Sequence, residues 1–199
     1  MTDQGSGRIH DPRVLRAIAH PVRNRILTEL GASGPMRAAD VARVLDVPAN
    51  QASFHLRQLA KYGLIEEAPE EARDQRDRVW RITGESLSIN VSDMEAQPGG
   101  KAAARVFMRQ AAATAHQAVD AAYSDDRTPG RHRATMETAV RFTKDEAAAF
   151  SEELGDLLHR WSERNRGRDD GRITYLVHAM VLPHPDLAHE RAADAEGGS

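Results

Sequence analysis

The stretch VPANQASFHLRQLAKYGLIEEA, residues Val47 to Ala68, decides how the chain is read. Its middle has helical spacing. It ends on Gly63, the residue type that most readily takes the left-handed conformation closing many helices. The pattern predicts a helix over residues 50–62. At 100° per residue, Ala52, Leu56 and Leu59 fall together and face inward, while Asn50, Phe54, Arg57 and Lys61 fall opposite. Gln51 and Gln58 lie beside that outer face, and Ser53 and His55 lie on its flanks. No acidic residue occurs from Pro48 to Ile65.

Working outward on the N-terminal side, a helix is expected over about residues 37–45, with Val41, Val44 and Leu45 inward. The link Asp46-Val47-Pro48-Ala49 is short, and two helices joined by about four residues make the skeleton of a helix-turn-helix. Further upstream, Asp11 and Pro12 open a short helix carrying Val14, Leu15 and Ile18. His20-Pro21 breaks it and starts a second helix with Val22, Ile26, Leu27 and Leu30 inward. Gly31 to Pro35 reads as a loop. On the C-terminal side, Leu64-Ile65 begins a strand, EEAPEEARDQRD reads as a charged loop, and Arg78 to Thr83 alternates as a half-buried strand does. Two strands with an exposed tip make a hairpin wing.

Bulk composition narrows the classes. The 199 residues allow one large or two small domains, and the formal net charge is −3. Residues 1–83 hold 13 basic and 11 acidic side chains, against 14 and 19 in residues 84–199. Only the first part has the sign that suits a polyanion. The chain has no cysteine, which excludes disulfides, thiolate metal sites and cysteine nucleophiles. Residues 1–10 are polar and read as disordered, with no apolar secretory core. No apolar run approaches the roughly 18–20 residues of a membrane span. A cytoplasmic protein with no membrane contact is expected.

The outer face of the helix over 50–62 presents amides, two cations and an aromatic ring. Amides and guanidinium read base edges in a major groove, while Lys and Ser fix phosphates. Phe54 suits a thymine methyl; packing on a neighbouring helix is its other reading. The plain alternative for the whole face is a solvated surface on an interaction module.

HPVRNRILTEL (His20 to Leu30), ADVARVLDVPANQASFHLRQLAKYGLIEEA (Ala39 to Ala68) and RDRVWRIT (Arg76 to Thr83) together resemble the winged helix-turn-helix domain of the ArsR family of bacterial repressors. The resemblance covers residues 11–83. It implies a homodimeric transcription regulator, with double-stranded operator DNA of near-palindromic sequence as partner. It places Asn50, Gln51, Ser53, Phe54, Arg57, Gln58 and Lys61 at the DNA, with wing residues Arg73, Arg76 and Arg78 near the minor groove or phosphates. Two departures stand out. Thiolate-based metal sensors of the family use cysteines that this chain lacks, and 116 residues follow Thr83 where the family has a short helix.

Residues 84–100 read as a linker broken at Pro98-Gly99-Gly100. A long Ala-rich helix is expected over 101–123. Its residues Ala104, Met108, Ala111, Ala115 and Ala118 follow heptad spacing, which suits a dimer contact or an ordinary helix on its own domain's sheet. His116 and Asp120 stand at i and i+4, a spacing a metal can use, but exposed polar pairs at that spacing are common; no metal or cofactor is expected. Met136, Thr138, Val140 and Phe142 alternate with more polar neighbours as a strand. Thr143 to Glu146 has capping-box spacing and opens a helix bearing Ala147, Phe150, Leu154, Leu157, Leu158 and Trp161 on one face. Residues 173–182 are apolar on both faces and read as a central strand.

The expected fold is therefore mainly α with a small β component: a winged helix-turn-helix at 11–83 and a C-terminal α-β-α-β domain at 101–183, with a flexible tail at 184–199. The C-terminal domain would dimerise or bind an unknown small-molecule effector. It holds no GxGxxG, P-loop or GxSxG, and nothing in the sequence names a reaction. A winged helix fused to a ligand-binding or enzymatic domain, and a protein-interaction module, remain the competing readings.

Overall fold

The computed structural model describes residues 11–72, 78–84, 95–125, 128–168 and 170–185. The chain divides into two units: Met1–Gln117 with Ser162–Tyr175, and Ala118–Trp161 with Leu176–Ser199.

The first unit begins with α1 (Pro12–Ile18), whose N-cap Asp11 accepts a hydrogen bond from the Arg13 amide at 2.8 Å. Helix α2 (Pro21–Ser33) follows after His20, with its proline at the first position. It runs on through Gly31, Ala32 and Ser33, where a loop was expected. The stop comes at Gly34, whose φ of 83° a side-chain-bearing residue rarely adopts. Strand β1 (Met36–Arg37) leads into α3 (Ala38–Leu45), which ends on Asp46 in the left-handed region. The Arg25 guanidinium reaches from α2 to donate to the Leu45 carbonyl at 2.8 Å, satisfying one of the orphan acceptors at the end of α3. Helix α4 (Ala49–Lys61) closes on Tyr62 and Gly63, where the Leu64 amide turns back to the Leu59 carbonyl at 3.1 Å.

The wing is a three-stranded antiparallel sheet in the order β1-β3-β2, formed with β2 (Ile65–Glu67) and β3 (Val79–Ile82). A two-stranded hairpin was expected. The third strand is β1, registered Met36 to Trp80 and Arg37 to Val79. On the other side Ile65 pairs Ile82, Glu66 pairs Arg81 and Glu67 pairs Trp80. A short 3-10 turn at Pro69–Glu71 leaves β2.

The inward set of α4 is the centre of the core: Ala52, Leu56 and Leu59 are fully buried, packed with Ile26, Val41, Leu64 and Trp80. Each Leu or Ile so enclosed contributes about 1.5–3 kcal/mol relative to exposure. Val44 was expected inward on α3 but is exposed; Val41 and Leu45 alone supply that helix's buried stripe. Helix α5 (Gly100–Tyr123) begins one residue earlier than expected, and its first turn packs Ala103 and Ala104 on Leu15. A carboxylate is also enclosed. Glu29 of α2 accepts from Ser33 Oγ at 2.6 Å and from Thr174 Oγ1 at 3.0 Å.

In the second unit, the start of α6 (Lys144–Asn165) has a reciprocal cap. Glu146 accepts from the Thr143 amide at 2.7 Å and donates its own amide to Thr143 Oγ1 at 3.2 Å. The two C-terminal strands expected over 136–143 and 173–182 are not part of any sheet among the described residues. Both segments lack the neighbour that a ladder requires. The architecture is thus mainly helical with one small antiparallel sheet. Among the described residues, no helix is long and apolar enough to cross a membrane.

Candidate nucleic-acid interface

Helix α4 sorts its side chains sharply. Asn50, Gln51, Arg57 and Lys61 are exposed, Phe54 is 50% exposed, and Ser53 and Gln58 are half-buried. All seven sequence-derived positions on this helix are therefore at or near the surface. Arg57 and Lys61 have no carboxylate partner among the described residues. The helix starts without a side-chain cap, and Asn50 Oδ1 accepts from the Gln51 amide at 2.9 Å. Its N-terminal turn keeps the partial positive charge of a helix start, which favours an anion.

Arg57 also lines a cleft of about 240 Å³ with Ala38, Ser53, Arg78 and Trp80. The cleft thus joins Ser53 and Arg57 of α4 to Arg78 and the buried Trp80 of the wing. Arg78 is exposed and faces Glu67 at 3.5 Å. An exposed pair of this kind is worth at most about 1 kcal/mol, so Arg78 can be drawn to a phosphate at little cost. Its neighbour Arg81 is engaged by both Glu66 and Glu70, which together hold its guanidinium still more firmly protonated. This acid-rich base of the wing was not singled out in the sequence. Arg73 and Arg76 lie outside the described residues.

His55 differs from its expected place. It is 5% exposed, not on the flank, and its ring meets His20 with centroids 4.6 Å apart and Phe54 edge-on at 5.3 Å. The Nδ1 atoms of both histidines are buried without a hydrogen-bond partner in the protein. Burial pushes both imidazoles below their ordinary pKa. Arg23 adds to the depression of His20, and His20 and Arg23 add to that of His55. The pair thus favours the neutral form, on the buried side of α4. A stricter wheel would have found His55, since it projects only 40° from Leu59 on the apolar arc.

On α5, Ala104 is taken up within the chain against Leu15, Met108 and Ala111 are exposed, and Ala115 and Ala118 are half-buried. His116 and Asp120 are exposed. Among the described residues no three histidines and carboxylates gather as a metal site would need.

Residues 18–68 match a family model described as a helix-turn-helix domain. That span runs from the end of α1 through α4 to the end of β2. Residues 18–68 thus carry the helix-turn-helix, and β3 completes the small sheet of the winged form. No curated protein matches the chain significantly. Among solved structures, the chain is similar to wild-type MarR from E. coli in its apo form at 16% identity, covering 74% of this chain and 87% of that one with a TM-score of 0.34. A transcriptional regulator homologue from Pyrococcus horikoshii OT3 shares 22% identity over 52% of this chain and 88% of its own, with a TM-score of 0.33. A mutant of Lactococcus lactis ZitR in its apo form shares 16% over 75% and 88%, also at 0.33.

Proposed function

We propose that this protein is a DNA-binding transcription regulator of the ArsR type, a repressor that reads a near-palindromic operator with α4 and the wing. The observation that carries the reading is the exposed face of α4, where Asn50, Gln51, Phe54, Arg57 and Lys61 stand with no acid among them. A major groove offers what each of these groups seeks: acceptors for the guanidinium and amides, phosphates for Lys61 and a methyl for Phe54. Arg78, which lines the same cleft as Arg57, extends the cationic path toward the phosphates, and Arg73 and Arg76, close to it in sequence, are proposed as further phosphate contacts.

A single α4 reads a half-site of a few base pairs. Two copies with their α4 helices roughly 34 Å apart would reach successive major grooves on one face of the duplex. A homodimer is therefore part of the proposal, and Met108, Ala111, Ala115 and Ala118 of α5 offer one contact for it.

The test is operator selection from genomic fragments with the full-length protein, followed by gel shifts at physiological salt. Arg57→Ala is expected to weaken the selected site about 5- to 150-fold, the discrimination of one bidentate base contact, with a smaller loss on random duplex. Lys61→Ala is expected to weaken both alike and to flatten the salt dependence. Unchanged operator affinity in both variants would remove α4 as the reader.

A further inference from the structure

The second unit has no buried residue among those described. Its apolar side chains nevertheless line two segments outside every helix and sheet, 134–142 and 176–182. On the first, Met136 is 95% exposed and Val140 and Phe142 are exposed too; in a strand these three would share one face. On the second, Leu176, Val177 and Met180 are all exposed, and in a strand Val177 would take the face opposite the other two. Neither segment makes a main-chain hydrogen bond among the described residues. An extended run of this kind does not persist in water by itself, since even a two-stranded hairpin is only marginally stable.

We propose that a second copy of this chain completes the sheet, with 134–142 of each copy pairing with 176–182 of the other. The inference rests on the homodimer included in the proposed function and assigns it a surface. Three observations select a second copy. First, a two-fold axis gives all four segments a partner at once, whereas pairing either segment with its own symmetry mate leaves the other open. Second, 176–182 is apolar on both faces, so it needs cover on two sides. Within one copy the apolar face of α6 is already engaged at Phe150, whose ring meets Phe142 with centroids 5.3 Å apart, so a second copy is needed to bring a second such face. Third, every large apolar side chain of the two segments is exposed, from 39% at Phe142 to 95% at Met136, and a monomer rarely leaves so much apolar surface in water without an interface to cover it.

The absence of native cysteine makes the test direct. Full-length Val140→Cys carrying one tag is co-expressed with Val177→Cys, Ala179→Cys or Val181→Cys carrying another, then oxidised and run on a non-reducing gel. We expect a disulfide between the two tagged chains for at least one of the three registers, and a dimer by sedimentation equilibrium. The double variant Val140→Cys with Ala179→Cys guards against pairing within one chain. A disulfide found only inside that chain, a wild type that sediments as monomer, or a dimer that forms none of the three links would each overturn the proposal. The gel shifts keep this apart from the reading of α4. Loss of operator binding specificity with the inter-chain links intact sinks the DNA proposal alone, and missing links with operator binding intact sink this one alone.

Discussion

The histidine pair under α4 sets a measurable dependence of stability on pH. Both imidazoles are held below their ordinary pKa in the folded chain, by burial first and by neighbouring positive charge second. An unfolded chain therefore binds more protons than the folded one as pH falls through 6.5 and below. The sign follows: stability is full above about pH 6.5 and declines as acid is added, until the folded-state values are passed. Each histidine can contribute a slope of at most about 1.4 kcal/mol per pH unit, and the two together about 2.7. The carboxylates lowered in the folded state, Asp11, Asp40, Glu146 and Asp170, titrate from ordinary values near 4 and act in the same direction at lower pH. A window from pH 7.5 to 5.5 isolates the histidines. The perturbation is His55→Phe, which keeps an aromatic ring against His20 and Phe54 and deletes a buried Nδ1 that has no partner. Such an orphan costs about 1–3 kcal/mol, so the variant is expected to be at least as stable as the wild type at pH 7.5. Its slope across the window is expected to fall by about half, the share of one of two titrating groups. Urea denaturation followed through the buried Trp80 measures both. A wild type with the same stability at pH 7.5 and 5.5, or a variant that retains the full slope, refutes the reasoning.

Two further outcomes test the frame that holds α4. Leu56→Ala removes a fully buried side chain from the middle of the core and is expected to cost about 2–5 kcal/mol in urea denaturation; a loss under about 1 kcal/mol would place the core elsewhere. Gly63→Ala meets no atom within 4 Å but forces a side chain onto a φ of 67°, so thermal unfolding should show a loss of about 1–2 kcal/mol from backbone strain alone.

The sequence carried the parts of the fold that depend on local periodicity. Ala52, Leu56 and Leu59 recur at helical spacing because a single face of α4 is buried, and that period also exposed the opposite, acid-free face. The Thr143 to Glu146 cap was legible because both partners lie within one turn. Strand β1 was not, because Met36 and Arg37 extend only by pairing with Val79 and Trp80, more than forty positions later. The enclosure of Glu29 depends equally on a distant residue, Thr174. For 136–143 and 173–182 the alternation was read, but alternation states only that a segment could form a strand. A ladder needs a neighbour, and the described residues of one chain do not provide it. On the candidate site, the outward residues of α4 were placed by the wheel, whereas the ion pairs of Arg78 and Arg81 with Glu67, Glu66 and Glu70 follow from sheet register, which spacing along the chain does not encode.

The bond from Thr174 to Glu29 spans 145 positions. Closing a loop of that length costs about 4 kcal/mol of chain entropy beyond the fixed term of closure. Synthesis runs at about 5–20 residues per second, so the roughly ninety residues from the end of the wing to Thr174 take on the order of 5–20 s to appear. Once Ala103, Ala104 and Phe107 of α5 have joined the core, early in that interval, α4 has every residue it packs on, while the carboxylate of Glu29 has only Ser33. The clamp is thus a late seal on an element that must already stand by itself. A nascent chain therefore completes α4 and its exposed face seconds before the C-terminal segment arrives to close the back of α2.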